Sequence, residues 1–263
     1  MLNNHNLKDK VAIITGGGSG LGRAAAFRLV NEGVKVCLLD IDIEHVKKVK
    51  EEIQANGGKA LAKKCDINSE QDIKQGIEAA MNHWGRVDII FANAGIVGEM
   101  APIETMQEED WVRTINTNLT GTFLTVKNSI PFLKENGGSV IITSSVSGSR
   151  IFSQAGFTAY STSKAGQLAF MKMAALELAS YKIRVNAICP GAIKTNIQQS
   201  IHHSPDVEDI EIPIIYPEGD QPLEHGPGKS EQVADLVTFL ASDLSSHITG
   251  TEIFIDGAES LLK

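Results

Sequence analysis

The chain has 263 residues, 42% of them apolar and 21% charged, with a net charge of -8. That length suits one large α/β domain, the composition is that of an ordinary globule, and the acidic balance speaks against nucleic acid as a partner. Cys37, Cys65 and Cys189 form no C-x-x-C pair and the histidines no H-E-x-x-H, so neither a disulfide framework nor a metal site is expected. The N-terminal MLNNHNLKDK lacks a signal peptide's apolar core. No apolar run approaches the ~18–20 residues of a membrane span. A cytoplasmic protein with no membrane partner is the expectation.

From Val11 onward strand-like and helix-like stretches alternate. VAIIT (11–15) is a short apolar strand, and 20–32 reads as a helix stopped by Gly33. VKVCLLD (34–40) is the second strand, 44–56 an amphipathic helix, and Gly57-Gly58 a stop. KALAKKCD (59–66) is the third strand, followed by a helix capped by Ser69. VDIIFANAG (87–95) enters a loop, and 107–134 reads as one long helix. GSVIITSS (138–145) is the fifth strand, Tyr160 opens a helix to about 181, and IRVNAIC (183–189) is the sixth strand. A last helix (230–242) and strand (252–256) close the chain. Strands alternating with helices of this length imply right-handed βαβ units. The fold class expected is α/β: a doubly wound, seven-stranded, mostly parallel sheet with helices on both faces, Rossmann-like, in one domain spanning 1–263. In such a sheet ligands gather at the carboxyl ends of the strands.

Three motifs fall at such ends. Gly16-Gly17-Gly18-Ser19-Gly20-Leu21-Gly22 joins the first strand to the first helix. Its glycines let the backbone turn tightly and approach a pyrophosphate, while the helix N-terminus offers free N–H groups. Asp40 closes the second strand, where a carboxylate can accept from ribose hydroxyls and repel a 2′-phosphate. Neither Ser19 nor Ile41 offers that phosphate a cation, so NAD is expected over NADP. Tyr160 and Lys164, four residues apart, share one helix face. A cation beside a phenol favours the phenolate and lowers a pKa normally near ~10, giving a proton donor and acceptor near neutrality.

Taken in order, T-G-x-x-x-G-x-G, Asn93-Ala94-Gly95, Asn118 in N-L-T-G, Ser145, Y-x-x-x-K and Pro190-Gly191 resemble the short-chain dehydrogenase/reductase family over about 7–258. The resemblance implies a hydride-transferring oxidoreductase. It makes Tyr160 the catalytic acid–base and gives Lys164 the tasks of tuning it and holding the nicotinamide ribose. It sets Ser145 on the substrate oxygen, in preference to Ser144, and Asn118 on a water relay, in preference to Asn116. It places Gly16, Ser19, Gly20, Leu21, Gly22 and Asp40 on the nucleotide. Asp66 and Ile67 would border the adenine, Asn93 and Gly95 would lie along the cofactor, and Pro190, Gly191, Ile193 and Thr195 would meet its carboxamide and phosphate end. The stretch between Ser145 and Tyr160 is slightly longer than the family's, an expansion within 149–157 beside the substrate pocket.

The segment 196–229 carries Pro205, Pro213, Pro217, Pro222 and Pro227, and reads as a substrate lid closed by Ile210, Ile212, Ile214, Ile215 and Tyr216. Asp206, Glu208, Asp209, Glu211, Glu218, Asp220 and Glu224 face one cation, Lys229, and oppose an acidic carrier or phosphorylated thioester. A small neutral alcohol, polyol, sugar or hydroxyketone is therefore expected. A 3-oxoacyl-(acyl-carrier-protein) reductase, or less readily a non-catalytic dinucleotide-binding protein, is the alternative. His202 and His203 read as solvated loop residues. The helix after Tyr160 is apolar nearly all round, which implies a second buried face. A homotetramer is expected, with a dimer next.

Overall fold

The computed structural model describes residues 6–152, 154–210, 212–214, 216 and 219–262. Of the segment discussed above, Glu211, Ile215, Pro217 and Glu218 lie outside the described residues.

Seven strands form the main sheet: β1 (Val11–Thr15), β2 (Lys35–Asp40), β3 (Ala60–Lys64), β4 (Ile89–Ala92), β6 (Gly138–Thr143), β7 (Ile183–Pro190) and β9 (Glu252–Ile255). Their order is β3-β2-β1-β4-β6-β7-β9 and every pairing is parallel. The order reverses beside β1, which opens the crevice where a doubly wound sheet takes its ligand. The central strands are apolar on both faces, as a sheet covered twice requires. Val11, Ile13, Ile90 and Val140 pack on one side, with α3 (Glu70–Trp84), α5 (Gly121–Leu133) and α6 (Thr158–Leu178). Ala12, Ile14, Phe91 and Ile141 pack on the other, with α1 (Gly20–Asn31), α2 (Ile43–Ala55) and α7 (Ser230–Ala241).

Local chemistry sets the helix ends. Asp42 caps α2 by accepting from Glu44 N and His45 N. The Ser69 hydroxyl accepts from Asp72 N at the start of α3, and Gly85 ends that helix at φ 75°.

Two stretches depart from the expected pattern. The helix over 107–134 is two helices, α4 (Glu108–Ile115) and α5, joined by one π-helical turn, Asn116–Thr120. Such a turn holds one residue more than an α-turn and re-aims the side chains around it. Here the buried Asn118 pairs with both main-chain groups of Ile96. The segment 196–229 also contains a strand. β8 (Ile201–His203) pairs in parallel with β5 (Gly98–Met100). His202 and His203 are thus exposed strand residues, not loop residues. Three residues carry no readable period, and the pairing depends on a segment some hundred positions away.

Candidate active site

At the end of β1 the chain turns through Gly16 at φ 65° and reaches Gly20 at φ 49°, both left-handed and costly for other residues. Gly22, in the first turn of α1, sits so close to this loop that a Cβ would lie 2.1 Å from the Gly16 carbonyl oxygen. Only glycine lets the helix start there. Ser19 is its N-cap, and its side chain makes no capping bond. The amides of the first turn, with Leu21 among them, have no intrahelical acceptor and stand at the positive end of the helix dipole.

Asp40 meets this loop from β2. One carboxylate oxygen accepts from Gly18 N at 3.0 Å and the other from Asp42 N at 3.1 Å. A Cβ at Gly18 would stand 2.8 Å from His45 Cβ and 3.0 Å from that carboxylate, so the backbone forms a cradle that a side chain would fill. Opposite, Thr195 closes over Gly20, within van der Waals reach of a Cβ there. The loop, the helix start and the carboxylate fit a dinucleotide's pyrophosphate and adenosine ribose.

Asn93 adjoins the glycine cradle, its amide nitrogen 3.0 Å from a Cβ built at Gly16 or Gly22. Its amide donates to Thr15 O at 3.1 Å, its carbonyl accepts from the Thr143 hydroxyl at 3.1 Å, and its main-chain N–H donates to the Thr15 hydroxyl. It brackets β1, β4 and β6, and its side chain is spent on that. Ile67 is 8% exposed, belongs to the core, and lies against Gly121 of α5. Asp66, beside it, turns its carboxylate back to Asn68 N and the Asn68 amide.

The titratable cluster gathers where β4 and β6 end. Ser145 caps the short 3-10 turn Val146–Gly148 and accepts from Ser147 N at 3.1 Å. The Tyr160 phenol faces it, near enough for the serine hydroxyl to favour the phenolate. Ser144 points away and donates to Lys164 O. The Tyr160 ring packs edge-on against Phe157, with centroids 5.6 Å apart. Lys164 is 3% exposed; its ammonium donates to Thr143 O at 2.9 Å and lies 5.5 Å from the Tyr160 ring centroid. Asn118 donates to the Ser163 hydroxyl at 3.0 Å. A Cβ at Gly95 would fall 2.9 Å from Asn118 Oδ1 and 3.7 Å from Lys164 Nζ, so a bare backbone separates the two. Asn116 stands elsewhere, on an open surface cleft with Asn68 and Arg113.

The electrostatics correct one expectation. Burial pushes the Tyr160 phenol above its ordinary value, and the Ser145 hydroxyl only opposes this. Burial also lowers the Lys164 ammonium to about 8. Desolvation favours the neutral form of both groups. In the protein alone the lysine does not bring the phenol down, because its ammonium bonds a main-chain carbonyl and makes no ion pair.

At the end of β7, Gly191 N donates to Ile255 O, and Ile193 bridges to Gly228. Pro190 pairs with Ile255 and closes the strand. Four further residues support the site: Thr15 and Thr143 around Asn93, Ser163 under Asn118, and Glu259, which accepts from Ala192 N. Each is tied through long-range contacts that no local spacing reveals. Cys37, Cys65 and Cys189 are buried free thiols, each pushed up to about 12, chiefly by burial. Among the described residues no helix is long and apolar enough to cross a membrane, and no group of three or more metal donors converges.

Comparison with known proteins agrees with this geometry. A family model described as enoyl-(acyl carrier protein) reductase matches residues 16–258. The chain belongs to the short-chain dehydrogenase/reductase family. Among curated relatives, the cyclohexanol dehydrogenase of Acinetobacter sp. (strain SE19) is 36% identical over 97% of this chain and 96% of that protein. Among solved structures, a 3-ketoacyl-ACP reductase from Sinorhizobium meliloti 1021 superposes with a TM-score of 0.92 at 43% identity, over 96% of this chain and 100% of that one. A 3-ketoacyl-(acyl-carrier-protein) reductase from Brucella melitensis, solved with NADH, gives a TM-score of 0.85 at 31% identity, over 97% and 99% of the two chains.

Proposed function

We propose that this chain is an NAD-preferring oxidoreductase that interconverts a secondary alcohol and a ketone on a small neutral substrate, with Tyr160 as acid–base. The observation that carries the reading is the meeting of Ser145, Tyr160, Lys164 and Asn118 at the sheet end beside the Gly16–Gly22 cradle. The nicotinamide supplies or takes the hydride and, when oxidised, brings positive charge to the site. Asp40 would accept from the ribose hydroxyls, and the α1 N-terminus would hold the pyrophosphate. Ser19, Gly20, Thr195 and Ile193 would hold the dinucleotide between them.

Each protein group then has one task. The Ser145 hydroxyl donates to the substrate oxygen and steadies the charge that grows on it. Tyr160, a neutral phenol in its buried setting, is already an acid and gives its proton to that oxygen during reduction. The reverse direction needs the phenolate, which burial disfavours. Lys164 and the charged nicotinamide together offset that cost. Asn118 orders a water through which Lys164 exchanges its proton with solvent.

The polarity of 196–229 favours the small neutral substrate over an acyl carrier, because its described carboxylates Asp206, Glu208, Asp209, Asp220 and Glu224 outnumber its single lysine, Lys229. The Acinetobacter relative, a cyclohexanol dehydrogenase, points the same way. The two 3-ketoacyl-carrier reductases support the second reading, a carrier-bound 3-oxoacyl substrate. The segment 196–229 acts as the substrate lid in either case. Met173 and Leu176 on α6 and Phe123 on α5 are apolar and at least two-fifths exposed, which supports a homotetramer, or failing that a dimer, built on those helices in the cytoplasm.

A panel of cyclic and acyclic alcohols and ketones, read at the nicotinamide absorbance with NAD(H) and NADP(H), tests the proposal. Turnover of simple ketones with kcat/KM about 100-fold higher for NADH than for NADPH is expected. Faster turnover of acetoacetyl-carrier thioesters than of any small ketone would favour the second reading.

A further inference from the structure

The chain's last turn and the loop after β7 meet at one peptide. Ala192 N–H donates to Glu259 Oε2 at 2.9 Å, and Ala192 O accepts from Gln221 Nε2 at 2.9 Å and from Gly228 N at 3.0 Å. Gln221 Nε2 also lies 3.3 Å from Glu259 Oε2. Glu259 is 5% exposed and Gln221 2%. A carboxylate and an amide are buried at a cost unless hydrogen bonds compensate it, and here they converge on a single main-chain unit. Gly191 permits the approach, since a Cβ there would lie 2.5 Å from Glu259 Oε2. The tail is shaped for the contact. The Asp256 carboxylate accepts from Ala258 N and Ser260 N, and Ala258 turns left-handed at φ 70°. A cavity of about 120 Å³, lined by Ile193, Gln221, Leu223 and Gln232 among others, lies alongside. Packing is incomplete on that side, so the polar contacts bear more of the attachment.

We propose that Glu259 is a positioning residue. With Gln221 it clasps the Ala192 peptide, so that the C-terminal turn, the Gly191–Thr195 loop and residues 219–229 move as one body. It touches no reacting atom and acts through Ala192. Its effect on turnover rests on the reading above, in which Ile193 and Thr195 border the nicotinamide end and 196–229 covers the substrate.

The full chain is compared with Glu259→Ala, Glu259→Gln and Gln221→Ala by steady-state kinetics and by amide hydrogen exchange without cofactor. Glu259→Ala and Gln221→Ala are each expected to raise the ketone KM about 10-fold, with a smaller change in kcat. Exchange at Ala192 and Gly228 is expected to speed up about 10-fold or more. Glu259→Gln keeps an acceptor oxygen for Ala192 N–H and is expected to restore both readouts to within about 3-fold of the parent. Unchanged exchange at Ala192 in folded Glu259→Ala, or Glu259→Gln as impaired as Glu259→Ala, overturns the proposal. If Glu259→Ala does not fold, unchanged exchange in Gln221→Ala overturns it equally. A parent chain that reduces no ketone refutes the functional reading alone, and the exchange result still decides the clasp.

Discussion

The two ends of the crevice are built from different materials. The nucleotide end is backbone: Gly16, Gly18, Gly20 and Gly22 bring main chain against main chain, and Asp40 is held by the loop it faces. The chemical end is side chain: Ser145, Tyr160, Lys164 and Asn118 come from three separate elements, Tyr160 and Lys164 sharing α6, and burial opposes the charged forms of the phenol and the ammonium. The first end depends on shape, because bare backbone at its glycines makes the close approaches. The second stores the cost of a desolvated ammonium and a reluctant phenol. Binding can therefore fail by steric change alone, and chemistry by protonation alone.

The larger effect that separates the two is steric. Gly22→Ala forces its new methyl to within 2.1 Å of the Gly16 carbonyl oxygen, so α1 must move off the loop. NADH affinity, read by fluorescence titration, is expected to fall about 100-fold or more, with about 1–3 kcal/mol lost in stability. Binding within a few-fold of the parent would mean that the cradle is not where the nucleotide sits.

The smaller effect is electrostatic. Burial lowers the Lys164 ammonium to about 8 in the fold, against an ordinary 10.5. The folded state thus binds its proton less tightly than the unfolded state. Folding bears the full penalty, about 3 kcal/mol by order of magnitude, below pH 8. The penalty fades as pH rises from 8 to 10.5, where the unfolded lysine also loses its proton. Lys164→Met has no such term. Between pH 7 and 10 the melting temperature of the parent, measured against that variant, is expected to gain about 2–6 °C. A constant gap would mean that the ammonium is better solvated than its 3% exposure implies.

The same contrast governs what the amino-acid sequence reveals. The seven strands and the glycine cradle are legible because their signals are local: apolar runs of strand length, glycine where the backbone must turn, Ser69 at a helix start. The chemical residues are legible as a set, since Tyr160, Lys164, Ser145 and Asn118 follow a family order and the fold brings them together. What escapes depends on distant partners. The π-turn at Asn116–Thr120 goes with Asn118 bonding Ile96, and β8 forms only because β5 is beside it. Asn93 lies in a motif that resembles a cofactor contact, and its amide brackets three strands. The direction of the Tyr160 shift could not be read from Y-x-x-x-K. Helical spacing reports proximity, whereas the pKa follows burial, and the lysine's ammonium donates its hydrogen bond to a main-chain carbonyl.

The reactive phenol is tested most directly by Tyr160→Phe, which removes one oxygen and keeps the ring that packs on Phe157. NADH titration and turnover should be measured on the same preparation. NADH binding within about 3-fold of the parent, together with a fall in kcat of about 10²–10⁴-fold, is the expected result. A variant that binds NADH and still turns over at the parent's rate would contradict the assignment of Tyr160 as the proton donor.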